Sequence, residues 1–349
     1  MARSRTLIVF ALMTVFCACR PPRSTTYDFA FRWEYRTGDY VRSSPAAWGH
    51  LVYVGSDDNA LHAVDAETGA GVWQYTTDDN VTSGPVIDED SVCFGSWDGN
   101  IYALAPDTGK LRWKYHTGGW VSAPPVARGG TIYMGCYDHA LYALSAADGR
   151  LLWRFQTTGP VVAGAALDAD SVYVGSLDNY LYAIDRQDGH LKWRFRTGGD
   201  LLGSPAVTDD TVYVGSCDRW LYAVNTQSGA IRWTHDCCAA VESSPTVVDG
   251  MLYVGTNEGE LLALSARDGR ERWHFQAKAS IRSGAVVWQD LVFVGSDDHR
   301  LYALNRHTGE LAWTYITGGL IVATPVVSAT QLYFGSTDGR LHAVALTHN

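Results

Sequence analysis

The sequence predicts an all-β fold made from eight copies of one small sheet, and three observations carry that prediction. Tryptophan recurs every 40 residues, at Trp33, Trp73, Trp113, Trp153, Trp193, Trp233, Trp273 and Trp313, with no insertion or deletion between copies. A period of that length marks a stacked or closed array of units, each unable to bury its apolar face alone. Within each unit, four segments of four to seven residues, rich in Val, Tyr, Trp and Ile, alternate with turn residues. The chain also begins its array with a lone Trp-bearing segment (Phe29 to Tyr35) and ends on a unit that lacks one, so the two ends complement each other. Four antiparallel strands per unit, eight units and complementary ends together describe an eight-bladed β-propeller closed by its N-terminal strand.

In chain order, residues 1–18 have the pattern of an export signal. Arg3 and Arg5 precede an apolar stretch from Leu7 to Phe16, which is too short to remain as a spanning helix. Phe16-Cys17-Ala18-Cys19 resembles a bacterial lipobox, although Phe16 stands where Leu is usual. Acylation of Cys19, with residues 19–28 as a tether, would anchor the protein to a membrane by lipid alone. Arg20 is not the Asp that retains such lipoproteins in the inner membrane, so an outer-membrane protein facing the periplasm is expected. A soluble periplasmic or secreted protein is the alternative.

The second unit serves as the type. Val81 to Ile87, Ser91 to Gly95, Asn100 to Leu104 and Lys110 to Tyr115 are its strands, parted by turns such as Trp97-Asp98-Gly99 and Pro106-Asp107-Thr108-Gly109. A glycine ends the second strand in every unit, from Gly55 to Gly335, where a positive φ or a close backbone approach is expected. Leu or Ile followed two residues later by Ala, as in Leu61/Ala63, places both on one strand face, with the Ala leaving room for an indole. An acid recurs at Asp58, Asp98, Asp138, Asp178, Asp218, Glu258, Asp298 and Asp338. Its presence in all eight units makes it a turn residue.

Ala63-Val64-Asp65-Ala66-Glu67-Thr68-Gly69, followed by Trp73, resembles the docking repeat of pyrroloquinoline-quinone (PQQ) propellers, and looser copies span residues 29–346. Two functional classes share that repeat: quinoprotein dehydrogenases, and non-catalytic lipoproteins resembling the propeller subunit of the outer-membrane barrel-assembly machinery. The resemblance therefore implies either PQQ with calcium and alcohol oxidation, or a scaffold for a protein partner or an unfolded outer-membrane client, acting as a monomer within a complex. Quinoprotein alcohol dehydrogenases of this kind carry a vicinal disulfide at the cofactor, and Cys237 and Cys238 are the adjacent pair here. The alternative for that pair is two small residues in a turn.

The scaffold is the expected function. The chain lacks the long insertions that supply calcium ligands in those enzymes, and no clustered set of oxygen ligands stands out from the repeated turns. No His-Glu-x-x-His, Cys-x-x-Cys, P-loop or Gly-x-Ser-x-Gly motif is present, so neither a catalytic residue nor a metal ligand is assigned. A net charge of −10 without a basic stripe argues against nucleic acid. Because strands alternate in direction, the loops entering the first strand share a face with the turns between the second and third. The aromatics that vary between units on that face are Tyr40, Trp97, Trp120, Tyr137, Tyr180 and Trp220, the expected partner-binding residues. Arg42, Glu242 and Arg282 are expected at the mouth of the central channel on the same face, either orienting a polar ligand or pairing with one another.

Overall fold

The computed structural model describes residues 27–88 and 90–348, so the export signal and Cys19 lie outside the described residues. Among these, thirty-two strands form eight four-stranded antiparallel sheets, and no helix occurs. Seven of the sheets run in chain order from an inner two- or three-residue strand to an outer edge strand, as a propeller blade requires.

One sheet breaks the order. Strand β1 (Tyr27–Arg36) is the outermost strand of the last blade, beside β32 (Arg340–His348), β31 (Gln331–Ser336) and β30 (Val326–Ser328). Its register runs from Tyr27 opposite His348 to Arg36 opposite Arg340. This strand is longer at both ends than its Trp-bearing core, because β32 also continues to His348 and offers a ladder to pair with. Phe29 stacks on Trp313 at 4.5 Å. At the channel the seam is closed again: Thr324 N–H donates to Ser44 Oγ at 3.0 Å and Val41 N–H to Ser336 O at 3.1 Å.

Seven of the eight recurring tryptophans, all but Trp313, join their blade to the next. Trp153 Nε1–H donates to Arg186 O at 3.0 Å, and equivalent bonds 33 residues along the chain run from Trp33, Trp73, Trp113, Trp193, Trp233 and Trp273. The indole lies flat against a left-handed glycine of the next blade. A Cβ on Gly189 (φ +76) would meet Trp153 Cδ2 at 2.8 Å. The paired alanine does sit opposite the indole in its own blade, as with Ala143 and Trp153. The space that receives the ring, however, is made by the glycine across the blade boundary.

Two strand-level expectations need correction. The first strand of the second unit is Val86–Asp88, not Val81 to Ile87. Residues 81–85 are occupied otherwise: Val81 N–H donates to Ser56 O of the preceding blade, Ser83 Oγ accepts from Gly95 N–H, and Pro85 has no N–H to give. The glycine ending each second strand does not need a positive φ. It is required by close approach, since a Cβ on Gly255 would lie 2.2 Å from Ile281 Cγ2 and 2.4 Å from Ile281 O.

The recurring acid is a turn lock. Asp178 accepts the Thr158 backbone N–H and hydroxyl at 2.9 Å each and the Tyr182 hydroxyl at 2.7 Å. In the first and last units, His62 and His342 replace that tyrosine, standing 3.0 and 3.4 Å from Asp58 and Asp338. Burial pushes each of these three carboxyls up, and the donors around it outweigh burial and hold it below the ordinary 3.8. A depressed folded value means the carboxylate form favours the fold; that stability is present above the unfolded value and is lost as pH falls through the folded one. The melting temperature is therefore expected to drop as pH falls below about 4, with a shallower drop in Asp178→Asn. A melting temperature unchanged from pH 6 to pH 3 would contradict the lock.

Candidate functional site

Backbone hydrogen bonds define one face of the ring. In each blade the loop before the first strand and the turn between the second and third strands are tied together: Trp97 N–H donates to Asn80 O, Tyr137 N–H to Trp120 O, Leu177 N–H to Pro160 O and Cys217 N–H to Asp200 O. Across each boundary, a second set of bonds brings neighbouring blades into the same circle. Val121 N–H donates to Ser96 O and Val161 N–H to Cys136 O at 3.1 Å, and Leu201 N–H to Ser176 O at 3.4 Å. Residues from alternate loops therefore follow one another around the channel mouth in the order Asn80, Trp97, Trp120, Tyr137, Pro160, Leu177, Asp200.

Five consecutive members of that circle, Trp97 to Leu177, form an apolar arc. Trp97 and Trp120 stack at 5.0 Å with 11° between their planes, and Tyr137 meets Trp120 edge-on at 5.5 Å. Trp97 is fixed from behind, with Nε1–H donating to Thr82 Oγ1 at 2.8 Å and the Arg42 guanidinium 5.9 Å from its ring centre. Trp120 remains 49% exposed, which leaves much of its ring for a partner. Beside the stacked pair is a cleft of about 260 Å³, lined by Trp97, His116, Trp120 and the backbone of Gly99, Gly118 and Gly119.

The other expected aromatics stand apart. Tyr180 and Trp220 open the third strands of their blades, outside the circle, and Tyr180 lies beneath Arg194 at 4.8 Å. Tyr40 is half exposed and is separated from the arc by Asp57 and Asn80. Sequence reasoning missed Pro160 and Leu177, which join the arc only because two loop types interleave. Carboxylates border it: Asp78 and Asp79 precede Asn80, and Asp200 follows Leu177. Among the described residues none of the three is in an ion pair. At the Asp200 end, burial and then Glu242, Asp200 and Asp218 push the Cys217 thiol up to about 11.

Arg42, Glu242 and Arg282 do line the axial cavity, of about 320 Å³, with Val162, Leu202 and Val322 at equivalent positions. They do not pair with one another. Each is held by the residue 15 places on: Arg42 by Asp57, Arg282 by Asp297 at 2.8 Å, and Glu242 by the Asn257 side-chain amide at 2.6 Å. Cys237 and Cys238 are not joined to each other. Cys237 is buried in the place of the threonine found in most units, while Cys238 is exposed at φ 59°.

Two family models match the chain. The one described as outer membrane protein assembly factor BamB matches residues 15–119, 57–194 and 178–285, and the one described as the β-propeller domain of glucose/ethanol/alcohol dehydrogenase matches residues 237–338. No curated protein sequence matches it. Among solved structures, BamB from Moraxella catarrhalis is 22% identical, covering 91% of this chain and 98% of that one with a TM-score of 0.78. The computationally designed Ika8 protein is 15% identical, covering 90% and 99% with a TM-score of 0.81. Quinohemoprotein alcohol dehydrogenase from Comamonas testosteroni is 15% identical, covering 91% and 76% with a TM-score of 0.78. At these identities the likeness is one of fold.

Proposed function

Because the chain belongs to the family described as outer membrane protein assembly factor BamB, we propose that it is a non-catalytic protein-binding scaffold of the cell envelope. The observation that carries this reading is the arc from Trp97 to Leu177. These residues differ from their counterparts in other units, so the fold does not require them, yet they gather at one sector of one face. Exposed aromatics grouped beside a cleft have the composition of a protein-docking surface. The partner is a protein component of an envelope complex or an unfolded outer-membrane client, and Cys19 holds the propeller to the membrane by its acyl chains. Isolating the protein from native membranes under mild detergent tests this. A stoichiometric protein partner is expected, and recovery of the propeller alone would count against it.

A PQQ-binding quinoprotein is the second reading, favoured by the dehydrogenase propeller model that matches residues 237–338. The residues at the axis do not fit a calcium-bound quinone well. Both arginines are already engaged by aspartates, and among the described residues no three His, Cys, Asp or Glu side chains are placed to hold a metal ion. Adding PQQ and Ca²⁺ to the purified protein is expected to give neither a retained quinone absorption band nor dye-linked alcohol oxidation. One cofactor retained per chain would replace the scaffold reading with this one.

A further inference from the structure

We infer that the aromatic arc receives an extended polypeptide segment in which apolar side chains are flanked by lysine or arginine; this rests on the scaffold reading above. The cleft beside Trp97 and Trp120, with a volume of about 260 Å³, suits one large apolar side chain. Gly99, Gly118 and Gly119 line it with backbone alone, which lets a segment approach the loops closely there, and Asp98, His116 and Thr117 line the rest. Stacking fixes the ring planes in advance, and a partner therefore loses little freedom of the protein on docking.

The charges at the two ends of the arc decide the sign of the partner. Asp78 is exposed with no ion pair, Asp79 uses one oxygen to cap Asn80 N–H at 2.8 Å, and Asp200 closes the far end. The cation behind Trp97 does not offset them, since Arg42 is held by buried Asp57. Arg194 is drawn over the Tyr180 ring, and Arg196 ends the outermost strand of the fourth blade (Leu191–Arg196), four residues before Asp200, as the one cation of that strand end. A segment with cations on both sides of an apolar centre meets Asp78 and Asp79 at one end and Asp200 at the other. An acidic segment would meet carboxylates at both. Unpaired carboxylates near the exposed Trp120 indole also favour guanidinium and ammonium groups through the ring face.

The probe is a blocked peptide, Lys-Lys-Phe-Val-Phe-Lys-Arg, titrated calorimetrically into the full propeller. Saturable binding is expected, weakening as salt rises. Trp120→Ala should weaken it about tenfold, and a triple Asp78→Asn, Asp79→Asn, Asp200→Asn variant by a similar factor. Neutralising three acids of the opposite face, Glu67→Gln, Asp107→Asn and Asp188→Asn, should change it less than about twofold. Equal loss in that control would mean the peptide answers only to net charge, and the inference falls. It falls equally if the same peptide with glutamate at every basic position binds as tightly, or if Trp120→Ala has no effect. Should the basic peptide fail while native capture still depends on Trp120, the scaffold reading stands and the charge assignment is wrong.

Discussion

Replacing Trp153 by alanine is expected to lower the unfolding free energy by about 3–5 kcal/mol. The indole is 8% exposed, is tilted against Tyr133 at 5.7 Å, donates to Arg186 O and covers Gly189 of the next blade. Truncation removes one blade-to-blade bond and leaves a cavity that Gly189 has no side chain to fill. In an array where each unit contacts only its neighbours, a weakened boundary cannot be compensated from elsewhere. Denaturant unfolding followed by circular dichroism checks this. A loss under about 1 kcal/mol would mean that the recurring indoles do not carry the blade junctions.

Deleting β1 (Tyr27–Arg36) should do still more, abolishing the cooperatively folded monomer. The strand supplies the whole outer edge of the last blade, pairs with β32 along its length, covers Trp313 with Phe29 and places Trp33 against the first blade through its bond to Ala66 O at 3.0 Å. Without it, β32 becomes a long apolar edge from Leu341 to Leu346, the kind of edge that recruits other chains. Light scattering after size exclusion is expected to show soluble aggregates or no soluble protein. A monodisperse monomer with an undiminished unfolding transition would contradict closure by this strand.

The architecture was legible because it rests on identities repeated at fixed spacing: the Trp, the strand-ending Gly and the turn acid each recur in step. Individual positions were less so. The inner strand was drawn too long because Val81, like a strand residue, is apolar, yet its work is to fill the gap at Gly55 of the neighbouring blade. The role of Gly189 was missed because its partner, Trp153, is 36 residues away in another blade. For the docking face, variability picked out Trp97, Trp120 and Tyr137, which do meet. It also picked Tyr180 and Trp220, since sequence distance along a turn does not say how far a residue lies from the channel. Pro160 and Leu177 carry no aromatic signal, and only the interleaving of loops from successive blades places them in the arc. The charged trio lines the axial cavity, but its pairing at a spacing of 15 residues has no signature without the fold.

In the scaffold reading the ring is a support and the arc is what it presents. A Trp97→Ala, Trp120→Ala double variant tests that most directly, by comparing partner capture from native membranes with the melting temperature of the same preparation. Capture should be lost while the melting temperature stays within a few degrees of the parent. Retained capture would show that the partner docks elsewhere, and a collapse of the melting temperature of the size expected for Trp153→Ala would show that these indoles serve the core.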